Sequence, residues 1–169
     1  MQHKSTILAE LKQTRPFHSR HQEALLALMR TAAIAKRPVV KVVEETGISL
    51  AQYNVLRILR GAGPEGLPTL AIRERMVEEA AGITRLIDKL EAAGYVSRER
   101  STPDRRLVVC RITKAGLALL SQLDPDVTEA DKAVLKVLSD AELDQLIVLL
   151  DKVRAGKSLG LRGLDLAKR

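Results

Sequence analysis

Six arginines fall within residues 85–111, and they carry the most specific chemistry in the chain: Arg85, Arg98, Arg100, Arg105, Arg106 and Arg111. A guanidinium is always charged and presents a rigid fork of donors that matches phosphate oxygens or the O6/N7 edge of guanine. Arg85 lies in a segment of helical period, where a bidentate contact to guanine is worth roughly 1–3 kcal/mol of base discrimination. Arg105 and Arg106 lie in a short polar stretch, Ser101-Thr-Pro-Asp-Arg-Arg106. Arginine at a narrow loop tip suits a minor groove, where the potential is most negative. Asp104 repels phosphate, so its expected task is to hold Arg105 or Arg106 in a fixed pose by a charge-assisted bond.

Other chemistries have less support. No phosphate-binding loop, metal-ligand cluster or nucleophile–histidine motif is present, so neither an enzyme nor a cofactor is expected. His18 and His21 have i, i+3 spacing, but two ligands do not make a metal site, and a surface pair is the better reading. The lone Cys110 excludes an internal disulfide and alternates with Val109 and Arg111 as a small packed thiol would. Three aromatics, Phe17, Tyr53 and Tyr95, are too few for the stacking platforms of single-strand binders.

The elements that must position these residues follow from periodicity. Residues 18–46 read as helix, with Leu25, Leu28, Met29, Ala32 and Ala33 at helical spacing and Pro38 kinking or dividing it. Ser49 and Gln52 form a capping box that opens a second helix, ending near Gly61. Residues 61–68 are a loop by composition, and Thr69 is placed to cap a short helix over 70–76. A turn at 77–79 precedes a third helix, 80–93, closed by Gly94. Its Ile83, Leu86, Ile87 and Leu90 form a buried face, leaving Ala81, Arg85, Asp88 and Ala92 opposite, with Thr84 and Lys89 beside them. The period then changes to two, which predicts strands over 95–100 and 107–113 joined as a hairpin. Thr113 caps a further helix, which Asp124-Pro125-Asp126 breaks or kinks. A second capping box, Ser139 with Glu142, opens a last helix with a stripe of Leu143, Leu146, Ile147, Leu150 and Val153.

At 169 residues, 46% hydrophobic and 29% charged, the chain has the composition of a globular protein. Its apolar runs are too short to span a bilayer, and it opens without a secretory pattern; a reducing, cytoplasmic setting is expected. The formal charge of +7 is uneven. Residues 1–46 carry eight Lys/Arg against four Asp/Glu, residues 47–123 twelve against eight, and residues 124–169 eight against nine. The first two segments thus suit an acidic polymer.

Helix, short turn, amphipathic helix and basic hairpin make a winged helix-turn-helix, so the fold class expected is mainly α with a small β-hairpin wing. Residues 50–120 resemble the multiple antibiotic resistance regulator (MarR) family. The resemblance rests on Gln52-Tyr-Asn-Val-Leu-Arg57, Ile83-Thr-Arg-Leu-Ile-Asp-Lys-Leu-Glu91, Gly94-Tyr-Val96, Asp104-Arg-Arg106 and Arg111-Ile-Thr-Lys-Ala-Gly116. It implies a homodimeric transcription regulator on double-stranded DNA, usually a repressor at a pseudo-palindromic operator and often released by a small anionic or phenolic effector. With few aromatics, a stacked phenolic ligand has few partners here.

The DNA contacts it implies are Thr84 and Arg85 in the recognition helix and Arg105 and Arg106 at the wing tip. Thr69, Lys89, Arg98 and Arg100 are further candidates, Arg98 and Arg100 equally readable as plain strand-surface residues. Glu79 and Ala81-Gly82 depart from the family's hydroxyl-rich helix start, which shifts readout toward Arg85, the wing and DNA shape. The domains expected are an N-terminal helical dimerisation segment (1–46), the winged domain (47–123, helix-turn-helix about 69–93 and wing about 95–113), C-terminal dimerisation helices (124–155) and a tail (156–169). Leu25, Leu28, Leu143, Leu146, Ile147 and Leu150 are the expected dimer contacts, since a winged domain of about 70 residues already has its own core. The competing reading is a winged-helix module for protein assembly, against which the basic wing argues; a steep salt dependence of DNA binding separates the two.

Overall fold

The computed structural model describes residues 6–78, 82–100 and 108–160. The helices are α1 (Ile7–Glu10), α2 (Arg20–Ala35), α3 (Arg37–Glu44), α4 (Leu50–Ala62), α5 (Thr69–Glu74), α6 (Ile83–Ala92), α7 (Lys114–Leu135) and α8 (Asp140–Gly160), and the strands are β1 (Leu67–Pro68), β2 (Val96–Arg100) and β3 (Val108–Ile112). The chain divides into two compact units, residues 1–131 and residues 132–169.

The core of the first unit is built around α4. The capping box forms as the sequence predicts: Gln52 N–H donates to Ser49 Oγ (3.3 Å), and Ser49 N–H donates to Gln52 Oε1 (2.9 Å). Such a cap contributes about 1 kcal/mol. Tyr53, Val55, Leu56 and Leu59 are buried along α4. They pack in one cluster with Val43, Ile72, Ile83, Ile87, Leu90, Val96, Cys110, Leu120 and Leu123. Burying each Leu or Ile stabilises the fold by roughly 1.5–3 kcal/mol, so α6 and the sheet are anchored to α4 by burial. Ile83, Ile87 and Leu90 supply that anchor from the predicted face of α6, and Leu86 is half-buried against the cluster.

The division expected at Pro38 is present: residues 18–46 form two helices that meet at Lys36, with Pro38, which has no N–H to donate, inside the first turn of α3. Several other expectations are corrected. Thr69 is the first residue of α5 rather than its cap; Pro68 holds the cap position, and Thr69 Oγ1 lies 3.9 Å from Cys110 Sγ. α6 begins at Ile83 behind Gly82, whose φ of 87° favours glycine. Residues 67–68, expected as loop, form a strand that pairs antiparallel with β3, so the sheet has three strands in the order β1-β3-β2. α7 runs unbroken past Pro125. At the start of α8, Ser139 Oγ donates to Glu142 Oε2 (2.8 Å), as does Ser139 N–H (2.8 Å).

The junction between α6 and the sheet is specified by backbone geometry. Gly94, with φ 77°, donates to Glu91 O (2.9 Å), and Tyr95 N–H donates to Leu90 O (2.9 Å), a Schellman ending that turns the chain directly into β2. Thr113 Oγ1 donates to Gly94 O (2.7 Å) and accepts from Gly116 N–H (3.1 Å) at the start of α7. A Cβ on Gly116 would lie 2.4 Å from Tyr95 O, which is why the base of the hairpin requires glycine there. Among the described residues no helix is long and apolar enough to cross a membrane.

Candidate nucleic-acid interface

The solvent face of α6 is the centre of the site. Thr84, Arg85, Asp88 and Lys89 are exposed on it, while Ile83, Ile87 and Leu90 fix the helix from beneath. Gly82, at the cap position of α6, has no side chain to cap it, so among the described residues no cap side chain meets the first-turn N–H groups at the positive end of the helix dipole. Arg85 and Lys89 form no ion pair among the described residues.

Arg98 on β2 behaves differently. Its Nη2 lies 2.7 Å from Asp88 Oδ1, its Nε donates to Glu91 Oε2 at 2.8 Å, and its Nη2 also pairs with Glu91. The hydrogen bond to Arg98 holds the Glu91 carboxyl below its ordinary range, and Glu91 in turn pushes the Arg98 guanidinium further up. Two consequences follow. The hairpin is braced against the recognition helix, and the two carboxylates of α6 that would repel phosphate are masked.

The remaining predicted residues are placed as follows. Arg100, at the end of β2, is exposed and unpaired among the described residues. Arg111 faces the protein, donating from Nε to Pro64 O (2.9 Å) and from Nη1 to Glu99 Oε2 (2.9 Å). Thr69 is half-buried, its hydroxyl toward Cys110. Cys110 is fully buried, and burial pushes its thiol up from the ordinary range. Glu79, Ala81, Asp104, Arg105, Arg106 and the 161–169 end of the tail lie outside the described residues. His18 and His21 are exposed, and among the described residues no group of three or more His, Cys, Asp and Glu could hold a metal ion.

The structure also shows polar ties that no periodicity signals. Arg60 of α4 makes a bidentate pair with Asp124 of α7, at 2.7 and 3.0 Å. Lys36 Nζ donates to Glu78 (2.9 Å), and Val77 N–H donates to Asn54 Oδ1 (3.0 Å). The last two sit on the wall of a cavity of about 260 Å³, whose lining also includes Val39, Tyr53, Arg57 and Met76. Arg57 stands 5.8 Å over the Tyr53 ring, and burial raises the Tyr53 phenol above its ordinary pKa. Lys36 and Glu78, Asn54 and Val77, and Arg60 and Asp124 are 42, 23 and 64 positions apart in sequence, so only the folded chain brings these pairs together.

Known proteins share this fold. A profile of the MarR family matches residues 48–108. The HTH-type transcriptional regulator YkoM of Bacillus subtilis is 31% identical over 140 residues, covering 80% of this chain and 90% of its own length. The crystal structure of a MarR transcription factor from Planctomyces limnophilus superposes with a TM-score of 0.62 at 40% identity, over 80% of this chain and 98% of its own. A mutant of E. coli MarR, solved in complex with operator DNA, has the same fold: TM-score 0.68 at 24% identity, over 75% of this chain and 90% of its own. A recognition helix braced to the strand that follows it, in a chain with relatives of this closeness and coverage, places the protein in the MarR family of winged helix-turn-helix transcription regulators, which are not enzymes.

Proposed function

We propose that the chain binds duplex DNA sequence-specifically as a homodimer and represses transcription from a pseudo-palindromic operator. The observation that carries this reading is the charge state of α6: among the described residues Arg85 and Lys89 have no ion-pair partner on its solvent face, while Arg98 pairs with Asp88 and Glu91 beside them. A helix so arranged presents a net positive solvent face and the positive end of its dipole to a polyanion, with an arginine poised for base edges. Thr84 and Arg85 read the major groove, with Lys89 and Arg100 on phosphates and Arg105 and Arg106 in the adjacent minor groove. The cavity beside Lys36 and Arg57, apolar on Val39 and Met76, suits a small anionic effector that releases the operator.

The test is selection of duplexes from a randomised pool by the full-length protein, followed by genomic footprinting. A palindromic consensus whose affinity falls steeply with salt supports the reading. Arg85→Ala is expected to lose about 1–3 kcal/mol of discrimination at one base pair per half-site. Arg105→Ala combined with Arg106→Ala is expected to weaken binding while leaving the melting temperature unchanged. Enrichment of no sequence at all would defeat the proposal.

A further inference from the structure

The chain leaves α5 at Glu74 and begins α6 at Ile83, and three successive residues on this path are held by three different contacts. Met76 packs against the buried core. Val77, whose side chain is 84% exposed and so has no apolar anchor, donates its N–H to Asn54 Oδ1. Glu78 accepts from Lys36 Nζ. Asn54 is half-buried between the buried Tyr53 and Val55 on α4, so its backbone is held by the core while its side-chain oxygen reaches the surface. Lys36 sits at the elbow between α2 and α3, the joint that Pro38 creates.

We propose that Asn54 and Lys36 are positioning residues: together they clasp Val77 and Glu78, set the approach to the recognition helix, and tie that helix to the elbow at the base of α2. The proposal rests on the DNA-binding reading above. Attraction to phosphates tolerates angular slack, because it is long-ranged and sequence-independent. Hydrogen bonds to base edges do not, because they weaken steeply with distance and angle. A loosened clasp therefore costs specific binding and spares non-specific binding, whereas general destabilisation lowers both. The tie to Lys36 further means that a change of pose in α2 acts on Glu78, at the approach to α6, through this ion pair as well as through the packed helices.

The experiment compares the affinity of the full-length protein for a duplex that the wild type selects with its affinity for the same duplex shuffled. Asn54→Leu is expected to lower affinity for the selected duplex about tenfold, as expected for one lost hydrogen bond, with the shuffled duplex within about twofold. Asn54→Asp keeps an acceptor for Val77 N–H and is expected to recover most of the preference. Lys36→Glu and Glu78→Lys each place like charges face to face and should reduce the selected-to-shuffled ratio by about threefold; the double variant restores the pair and the ratio. Hydrogen exchange at the Val77 amide should quicken in Asn54→Leu and slow again in Asn54→Asp. Wild-type ratios in Asn54→Leu and Lys36→Glu, or a parallel loss on both duplexes with a fall in melting temperature, would overturn the clasp alone. The charge swap changes no core residue, so it decides the matter even if Asn54→Leu folds poorly. A wild type that prefers no duplex would overturn the DNA-binding reading and the clasp with it.

Discussion

At the residue scale, Arg98 illustrates a cation that serves the polyanion-facing surface without facing it. Its side chain is 27% exposed and engaged with both acids of α6, so the contribution expected of it is electrostatic masking and a fixed hairpin angle. Arg98→Met should unmask Asp88 and Glu91 and reduce duplex affinity by roughly tenfold at low salt, the order expected for two carboxylates brought near phosphates. Adding Asp88→Asn and Glu91→Gln should recover most of that loss in a fluorescence-anisotropy titration. A loss that persisted in the triple variant would assign Arg98 to the phosphates directly. The sequence left phosphate contact and plain strand surface equally open for Arg98. In the structure the Schellman turn at Gly94 leads the chain back so that Arg98 meets Asp88 and Glu91.

At the scale of the element, α7 is the clearest case of tertiary contacts overriding local propensity. A proline inside a helix costs about 3 kcal/mol, yet α7 continues through Pro125. The burial of Leu123 and Val127 on either side, and the bidentate Arg60–Asp124 pair, hold the helix through the break in its hydrogen-bond ladder. The hydrogen bond from Arg60 holds the Asp124 carboxyl below its ordinary pKa, with desolvation opposing it. A carboxyl depressed in the folded state contributes stability above its unfolded pKa, near 3.9, and that contribution is lost as pH falls through the lower folded value. Asp124→Asn is therefore expected to cost about 1 kcal/mol at pH 7, small because both side chains are more than a third exposed. In thermal melts the difference from wild type should shrink steadily below about pH 4; a gap unchanged down to pH 2 would assign the cost to something other than the ion pair.

At the scale of the whole molecule, the terminal helices carry apolar surface that the single chain leaves uncovered. Leu25, Leu28, Met29 and Ile34 of α2 are exposed, as are Ile147, Val148, Leu149 and Val153 of α8. Leu143, Leu146 and Leu150 are half-buried. Helices with this much exposed aliphatic surface are expected to be covered in a dimer, and an isologous pair would present two copies of α6 to the two halves of a palindrome. Removal of residues 140–169 is accordingly expected to shift the protein from dimer to monomer in analytical ultracentrifugation and to weaken operator binding by more than the loss of any single arginine. A truncated chain that sedimented as a tight dimer would move the interface elsewhere.

Neither the short α1 at Ile7–Glu10 nor the passage of α7 through Pro125 was legible, but periodicity and capping determined most of the helical segments, which face of α6 is buried, and where the hairpin follows it. These are local properties: Ile83, Ile87 and Leu90 recur at the helical period whatever lies around them, and Ser49 with Gln52 closes its box within one turn. The third strand was not legible, because Leu67 and Pro68 become a strand only by pairing with Cys110 and Val109 more than forty residues on. Nor were the pairs Arg98 with Asp88 and Glu91, Lys36 with Glu78, Asn54 with Val77, or Arg60 with Asp124. A charge or an amide has many candidate partners along a chain, and which of them it meets is set by how the elements pack, so those choices belong to the tertiary structure.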